Sequence, residues 1–200
     1  MPRGFNERER ELIRKRLVAE GEALFGRLGL RKTRVEDVTK AAGIAKGSFY
    51  RFFSSREELF LAVLSAMESS LRAPLLVKAL EAAAADRLAV FLDSMREALA
   101  ARPSLARILD PEELAYLERK ADPALLQDHF RGDDRFLREF VENAIPKKRR
   151  NAGAVTAWTA ALKFFFTGLI LGAGVTGTEE SGIRLIMEAL DGKWRDDAIG

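Results

Sequence analysis

The stretch Thr33 to Phe53, TRVEDVTKAAGIAKGSFYRFF, decides how the rest of the chain is read. Thr33 with Glu36 three residues on has the form of a capping box, which predicts that a helix starts there. Val35, Val38 and Ala42 recur at i, i+3 and i+7 and lay one apolar stripe along that short helix. A helix of this length does not stand alone in water. Gly43 follows the last periodic residue, where a left-handed cap costs a glycine nothing; Ile44 tucks under the bend and Ala45 leads into a second helix, Lys46 to Phe53. In that helix Phe49 and Phe53 suit the core, while Lys46, Ser48, Tyr50 and Arg51 lie on other faces. Two helices joined by a tight turn make a helix-turn-helix.

The residues on those other faces are hydrogen-bond donors. A lysine or arginine neutralises a phosphate, a tyrosine hydroxyl hydrogen-bonds one, and Gly47 lets the backbone approach a sugar-phosphate chain. A helix of this kind fits the major groove of double-stranded DNA. The run Ala42 to Phe60, AGIAKGSFYRFFSSREELF, resembles the DNA-binding signature of the tetracycline-repressor (TetR) family. Gly29, Thr33, Val35 and Val38 also stand where that family's first helices place their glycine, threonine and aliphatics. The resemblance spans residues 10 to 62; beyond it only the layout is similar. It implies a DNA-binding set of Thr33, Val35, Lys46, Gly47, Ser48, Tyr50, Arg51 and Arg56. Lys46, Tyr50 and Arg56 are expected on phosphates and Ser48 and Arg51 on bases. The family often has serine where Ala45 stands, so a hydroxyl cap is missing here, and lysine where Arg56 stands.

The charge distribution agrees with a nucleic-acid contact at the front. Residues 1 to 56 hold 14 Lys and Arg against 7 Asp and Glu, whereas the remainder holds 19 against 23, so a basic quarter precedes a mildly acidic body. A chain of 200 residues suffices for a small domain and a larger one. Without cysteine there is no disulfide framework or thiolate zinc site, and MPRGFNERER contains no secretory apolar core; a cytoplasmic protein is expected.

A first helix is expected over residues 6 to 28, with Gly21 inside it for close helix approach and Gly26 and Gly29 bracketing its end. Arg3 and Arg8 read either as a minor-groove arm or as a disordered charged start. Ser54-Ser55 with Glu57 and Glu58 starts a long helix that runs to Leu71 and is bounded by Pro74. This helix is the expected mechanical link between a DNA-binding domain, residues 1 to 54, and a ligand-binding and dimerisation domain, residues 55 to 200. The whole is expected to be all-α: a three-helix, helix-turn-helix domain and a larger helical body.

The body reads as helix-rich from Leu75 to Arg102, including the alanines 82 to 85. Short helical pieces follow at 104–109 and 111–120, then a segment from Pro123 to Ala144 interrupted by Gly132. Phe91, Met95, Tyr116, His129, Phe130, Trp158 and Phe165 are candidates for the wall of an effector site, being bulky, central and in part polar; individually each also suits a core. Lys147 to Arg150, KKRR, reads as a solvated loop tip, with a site for ligand phosphates such as those of a coenzyme A thioester as the alternative. Ala152 to Val175 is the most apolar stretch, but Lys163 divides it, so it reads as a buried helix rather than a membrane span. Its small residues Ala157, Ala161, Gly168 and Gly172, with Ile183, Ile186, Met187 and Leu190 on a last helix from Glu179 to about Leu190, are the expected homodimer interface.

Catalytic chemistry is not indicated: the one histidine, His129, has no visible metal-ligand cluster, there is no G-x-S-x-G turn, and Gly172-Ala173-Gly174 follows a helix pattern. No enzyme, cofactor or metal is expected. The partners implied by the resemblance are operator DNA, a second copy and a small organic effector. A rival from another class is a DNA-bound interaction protein whose body binds a protein partner instead of a metabolite.

Overall fold

The computed structural model describes residues 5–172 and 179–199, and among these every regular element is a helix. The ten helices are α1 (Glu7–Leu28), α2 (Val35–Ala41), α3 (Lys46–Phe49), α4 (Arg56–Glu81), α5 (Arg87–Ala100), α6 (Pro103–Ile108), α7 (Pro111–Lys120), α8 (Pro123–Ala144), α9 (Ala152–Gly172) and α10 (Glu179–Ile199). They form two compact units, Met1–Glu68 with Arg102–His129, and Ser69–Ala101 with Phe130–Gly200.

In the first unit α1 opens on a full capping box: the Glu9 N–H donates to Asn6 Oδ1 and the Asn6 N–H to Glu9 Oε2, both at 2.8 Å. Leu17, Leu24 and Phe25 form its buried stripe, and Phe25 lies edge-on to Phe60 of α4 at 5.1 Å. Close approach accounts for two glycines. A Cβ on Gly21 would lie 3.1 Å from Val63, and one on Gly26 only 2.6 Å from Ser104 of α6. Gly26 is therefore a helix-crossing residue in the last turn of α1, which Gly29 terminates at φ +78°, so the two glycines bracket the helix end as expected. Beyond it Glu113 of α7, fully buried, accepts from the Arg31 N–H at 2.9 Å and from Arg31 Nε at 3.1 Å.

The second unit is built round stacked rings. Phe91 lies 4.0 Å from Phe140, Trp194 continues the stack, and Trp158 meets Trp194 edge-on at 5.1 Å. Both indoles find partners, as buried tryptophans must: Trp194 donates to the Ala84 carbonyl at 2.9 Å and Trp158 to Asp197 at 3.1 Å.

Several boundaries differ from the sequence reading, each because packing overrides a local preference. α4 passes through Pro74 to Glu81, since Leu75 and Ala79 extend its buried stripe. The alanines 82–85 form a turn, held by Trp194 on Ala84 and Arg87 on Ala82. Gly132 does not interrupt α8. α10 continues past Leu190 to Ile199 because Trp194 anchors it. α4 has the length and apolarity of a membrane span, and Leu59, Phe60, Val63, Leu64, Met67, Leu75 and Ala79 along it are buried in protein. Arg3 and the stretch after Gly172 lie outside the described residues, as do the surroundings of Gly172 itself.

Candidate nucleic-acid interface

The turn between α2 and α3 is built as its sequence suggests. Gly43 takes φ +68°, the Ile44 N–H donates to the Thr39 carbonyl at 3.0 Å and the Gly43 N–H to that of Lys40 at 3.3 Å, a Schellman closure of α2. Val38, Ala42, Phe49 and Phe53 are buried beneath it. α3 itself is one turn, Lys46–Phe49, extended to Phe53 by tight turns rather than by regular helix. Ala45 supplies no side-chain cap, and no acid stands in the first turn of α3.

Above that core Lys46, Gly47, Tyr50 and Arg51 are exposed and Ser48 is half-buried. A Cβ on Gly47 would meet nothing within 4 Å, so the outer face of α3 is open. Tyr50 is 56% exposed, its ring edge-on to Phe49. The Lys46 ammonium lies 2.5 Å from the Glu36 carboxylate. That contact raises the lysine above its ordinary range and holds the glutamate below its own. Lys32, Arg34 and Lys40, around α2, are further exposed cations that the motif reading left out.

Three members of the expected set are placed otherwise. Thr33 is fully buried and donates its hydroxyl to the Gly29 carbonyl at 2.7 Å, so it neither caps α2 nor faces outward. The cap is at Arg34, whose N–H donates to Asp37 Oδ2 at 3.2 Å. Val35 is half-buried in the first turn of α2. Arg56 is 17% exposed and turned inward, its guanidinium donating to the Thr33 carbonyl at 2.8 Å and to Glu57 and the Tyr116 hydroxyl at 2.9 Å each. So placed, the guanidinium braces the loop before α2. The local sequence carries no sign of this, because Tyr116 is 60 residues away.

The residues expected at the effector wall fall in both units. Tyr116 and His129 belong to the first unit, and the other five to the second. His129 Nδ1 is 3.1 Å from Ser65 Oγ and its Nε2 is 3.6 Å from Glu68, so α4 supplies a carboxylate beside it that the sequence did not suggest. Phe91, Trp158 and Phe165 are core residues, Met95 packs against that core, and Phe130 is exposed. Trp158 also borders a pocket of about 320 Å³ with Arg149 and Asp197. A groove of about 430 Å³ opens between α5 and α10, floored by Ala89, Leu92, Ile183 and Met187. The KKRR run lies exposed between α8 and α9, with Arg149 and Arg150 donating to backbone carbonyls.

Of the expected dimer residues, Ala157, Gly168 and Ile186 are exposed, Ala161 is half-buried, and Ile183, Met187 and Leu190 pack against the second unit's own core. Exposed neighbours complete the outer face: Ala160 and Phe164, 82% exposed, on α9, and Leu185 and Ala189 on α10.

Residues 17–63 match the model of the bacterial regulatory proteins of the tetR family. No curated protein sequence is significantly similar to the chain. Among solved structures, a TetR-family transcriptional regulator from Pectobacterium atrosepticum has a TM-score of 0.70 at 19% identity, covering 98% of this chain and 99% of its own. A TetR transcriptional regulator from Rhodococcus sp. RHA1 has a TM-score of 0.64 at 23% identity, covering 93% and 97%. The transcriptional regulator FadR from Bacillus subtilis, solved in complex with stearoyl-CoA, has a TM-score of 0.58 at 17% identity, covering 93% and 98%. Residues 17–63 are thus similar to the tetR family of bacterial regulatory proteins, and the all-helical fold is shared with these solved structures over nearly the whole length of the chain.

Proposed function

We propose that the protein is a cytoplasmic transcriptional repressor that binds its operator as a homodimer and leaves it when an organic effector binds the body. The observation that carries the reading is the open outer face of α3, with Lys46, Gly47, Tyr50 and Arg51 exposed over a buried Phe49 and Phe53. Lys46 and Tyr50 serve phosphates and Ser48 and Arg51 serve base edges. The dimer uses α9 and α10, because an outer face of Ala157, Ala160, Phe164, Leu185 and Ile186 is otherwise left in water. The residues 1–54 form the DNA-contacting part and the later helices the regulatory part.

An effector with a large apolar portion suits the second unit. The groove between α5 and α10, floored by Ala89, Leu92, Ile183 and Met187, supports this. The stearoyl-CoA of the Bacillus subtilis relative is one chemistry of that kind. Binding of the effector is expected to change operator affinity by about 1 to 3 kcal/mol, and operator DNA must change effector affinity by the same factor.

Selection of bound duplexes from a randomised pool tests the reading. A dimer should enrich an inverted repeat with half-site centres about one helical turn, roughly 34 Å, apart. Enrichment of no motif would end it.

A further inference from the structure

Arg51 is not free on the outer side of the reading turn. Its guanidinium lies 5.1 Å from the centre of the Phe5 ring, the Phe5 ring lies 5.8 Å from that of Phe52, and the Arg10 guanidinium lies 5.9 Å from the Phe52 ring. The four side chains make a column of cation, ring, ring and cation. Arg14 steadies its foot, with its guanidinium 4.3 Å over Phe53 and an N–H donated to the Phe52 carbonyl at 3.0 Å.

The placement of Phe5 is unusual for its position. It stands immediately before the Asn6 cap, where an apolar residue ordinarily packs on the fourth residue of the helix that follows. Here that fourth residue is Arg10, so no such apolar pair forms, and the ring turns instead to the segment after α3. The Asn6–Glu9 capping box fixes the direction in which the chain enters α1 and so holds Phe5 in place.

A guanidinium held over a ring by cation–π attraction spends none of its N–H donors on that contact. Reading a guanine requires two of those donors in one fixed placement, which a long flexible side chain adopts only part of the time. We propose that Phe5 is a positioning residue for operator recognition: it preorients Arg51 so that the guanidinium edge is presented to a guanine in each half-site. This rests on the reading of α3 as the DNA-contacting element.

The test is duplex selection from a randomised pool with the full-length wild type, Phe5→Ala, Phe5→Leu, Phe5→Tyr, Arg51→Ala and the double variant Phe5→Ala/Arg51→Ala, together with a melting curve of each. Arg51→Ala should erase the preference for guanine at one position per half-site. Phe5→Ala should weaken that same preference about tenfold and leave the other positions unchanged. Phe5→Leu keeps an apolar contact with Phe52 but offers no ring face, so it should melt like the wild type and select like Phe5→Ala; Phe5→Tyr should restore the preference. The double variant should select no differently from Arg51→Ala alone. An even loss of affinity on all sequences in Phe5→Ala, a changed preference elsewhere in the half-site, or failure of tyrosine to rescue would overturn the proposal. An unchanged motif in Arg51→Ala would overturn it while leaving DNA binding intact, whereas a wild type that enriches nothing would remove the reading beneath it as well.

Discussion

Glu36 is an exposed carboxylate on the face that the proposed function turns to phosphates, and its removal should strengthen DNA binding. It lies 2.5 Å from the Lys46 ammonium, with the two side chains 56% and 55% exposed, so the pair contributes little to folding. When Lys46 turns to a phosphate, the glutamate is left unpartnered close to the DNA. At about 7 Å a carboxylate and a phosphate repel by roughly 0.6 kcal/mol in bulk water and about 2 kcal/mol at the lower effective dielectric of a protein surface. Glu36→Gln should therefore tighten binding by about threefold to thirtyfold, and on unrelated sequences as much as on the operator. Since Lys46 meets a phosphate in both proteins, the slope of log affinity against log salt should change by less than the about 0.9 of one phosphate contact. Fluorescence anisotropy of a labelled non-operator duplex between 50 and 300 mM salt measures both quantities, with melting curves as the folding control. Unchanged or weaker binding by a normally folded Glu36→Gln protein would refute the argument and place α2 and α3 away from the phosphates.

Arg56→Ala should lower stability by about 1 to 3 kcal/mol, because the Thr33 carbonyl and Tyr116 hydroxyl lose a charged donor, yet leave the salt slope unchanged. A slope flattened by one unit would restore Arg56 to the phosphates. Glu113→Ala should cost about 2 to 4 kcal/mol in chemical denaturation, since it strips the Arg31 N–H of its buried acceptor; a loss under 0.5 kcal/mol would show the loop re-pairing with water. Phe164→Glu and Ile186→Glu should each sediment as monomers and lose operator binding, and a dimer surviving both would put the interface elsewhere. Hydrogen bonding from Lys193, aided by Trp158 and opposed by partial burial, holds the Asp197 carboxyl below its ordinary range. Its contribution is thus complete above the ordinary carboxylate range and lost as the pH falls through the lowered value. Asp197→Asn should cost under about 1 kcal/mol at pH 7, given its exposure, and the gap to wild type should close towards pH 3; a gap constant over that range would count against the ionised pair.

The helix-turn-helix was legible because its determinants are local: a glycine at the one left-handed position, a short apolar stripe and two phenylalanines four apart. What the sequence concealed was set by partners far along the chain. Arg56 looks outward by motif position, but its partner Tyr116 lies 60 residues on, in α7, and Thr33 turns back to the Gly29 carbonyl at the end of α1. The run of alanines has the composition of a helix and forms a turn, because an indole 110 residues away takes the Ala84 carbonyl. Periodicity likewise showed that α10 has an apolar stripe but not which body it meets: Ile183, Met187 and Leu190 are used within the second unit.

The braces at Glu113 and Tyr116 bear on how the protein is made. Residues through Phe53 leave the ribosome early, but the cover of α1 is supplied by Ser104 of α6, and the acceptor for the Arg31 N–H by α7. At about 5 to 20 residues per second, the interval between residue 54 and the end of the first unit at His129 is about 4 to 15 s. During it the nascent amino-terminal region has Arg31, Gly26 and Leu30 in water while Ser69–Ala101 is synthesised between its two halves. That is the window in which a chaperone would find its apolar surface, and it is fixed by the order of the elements along the chain.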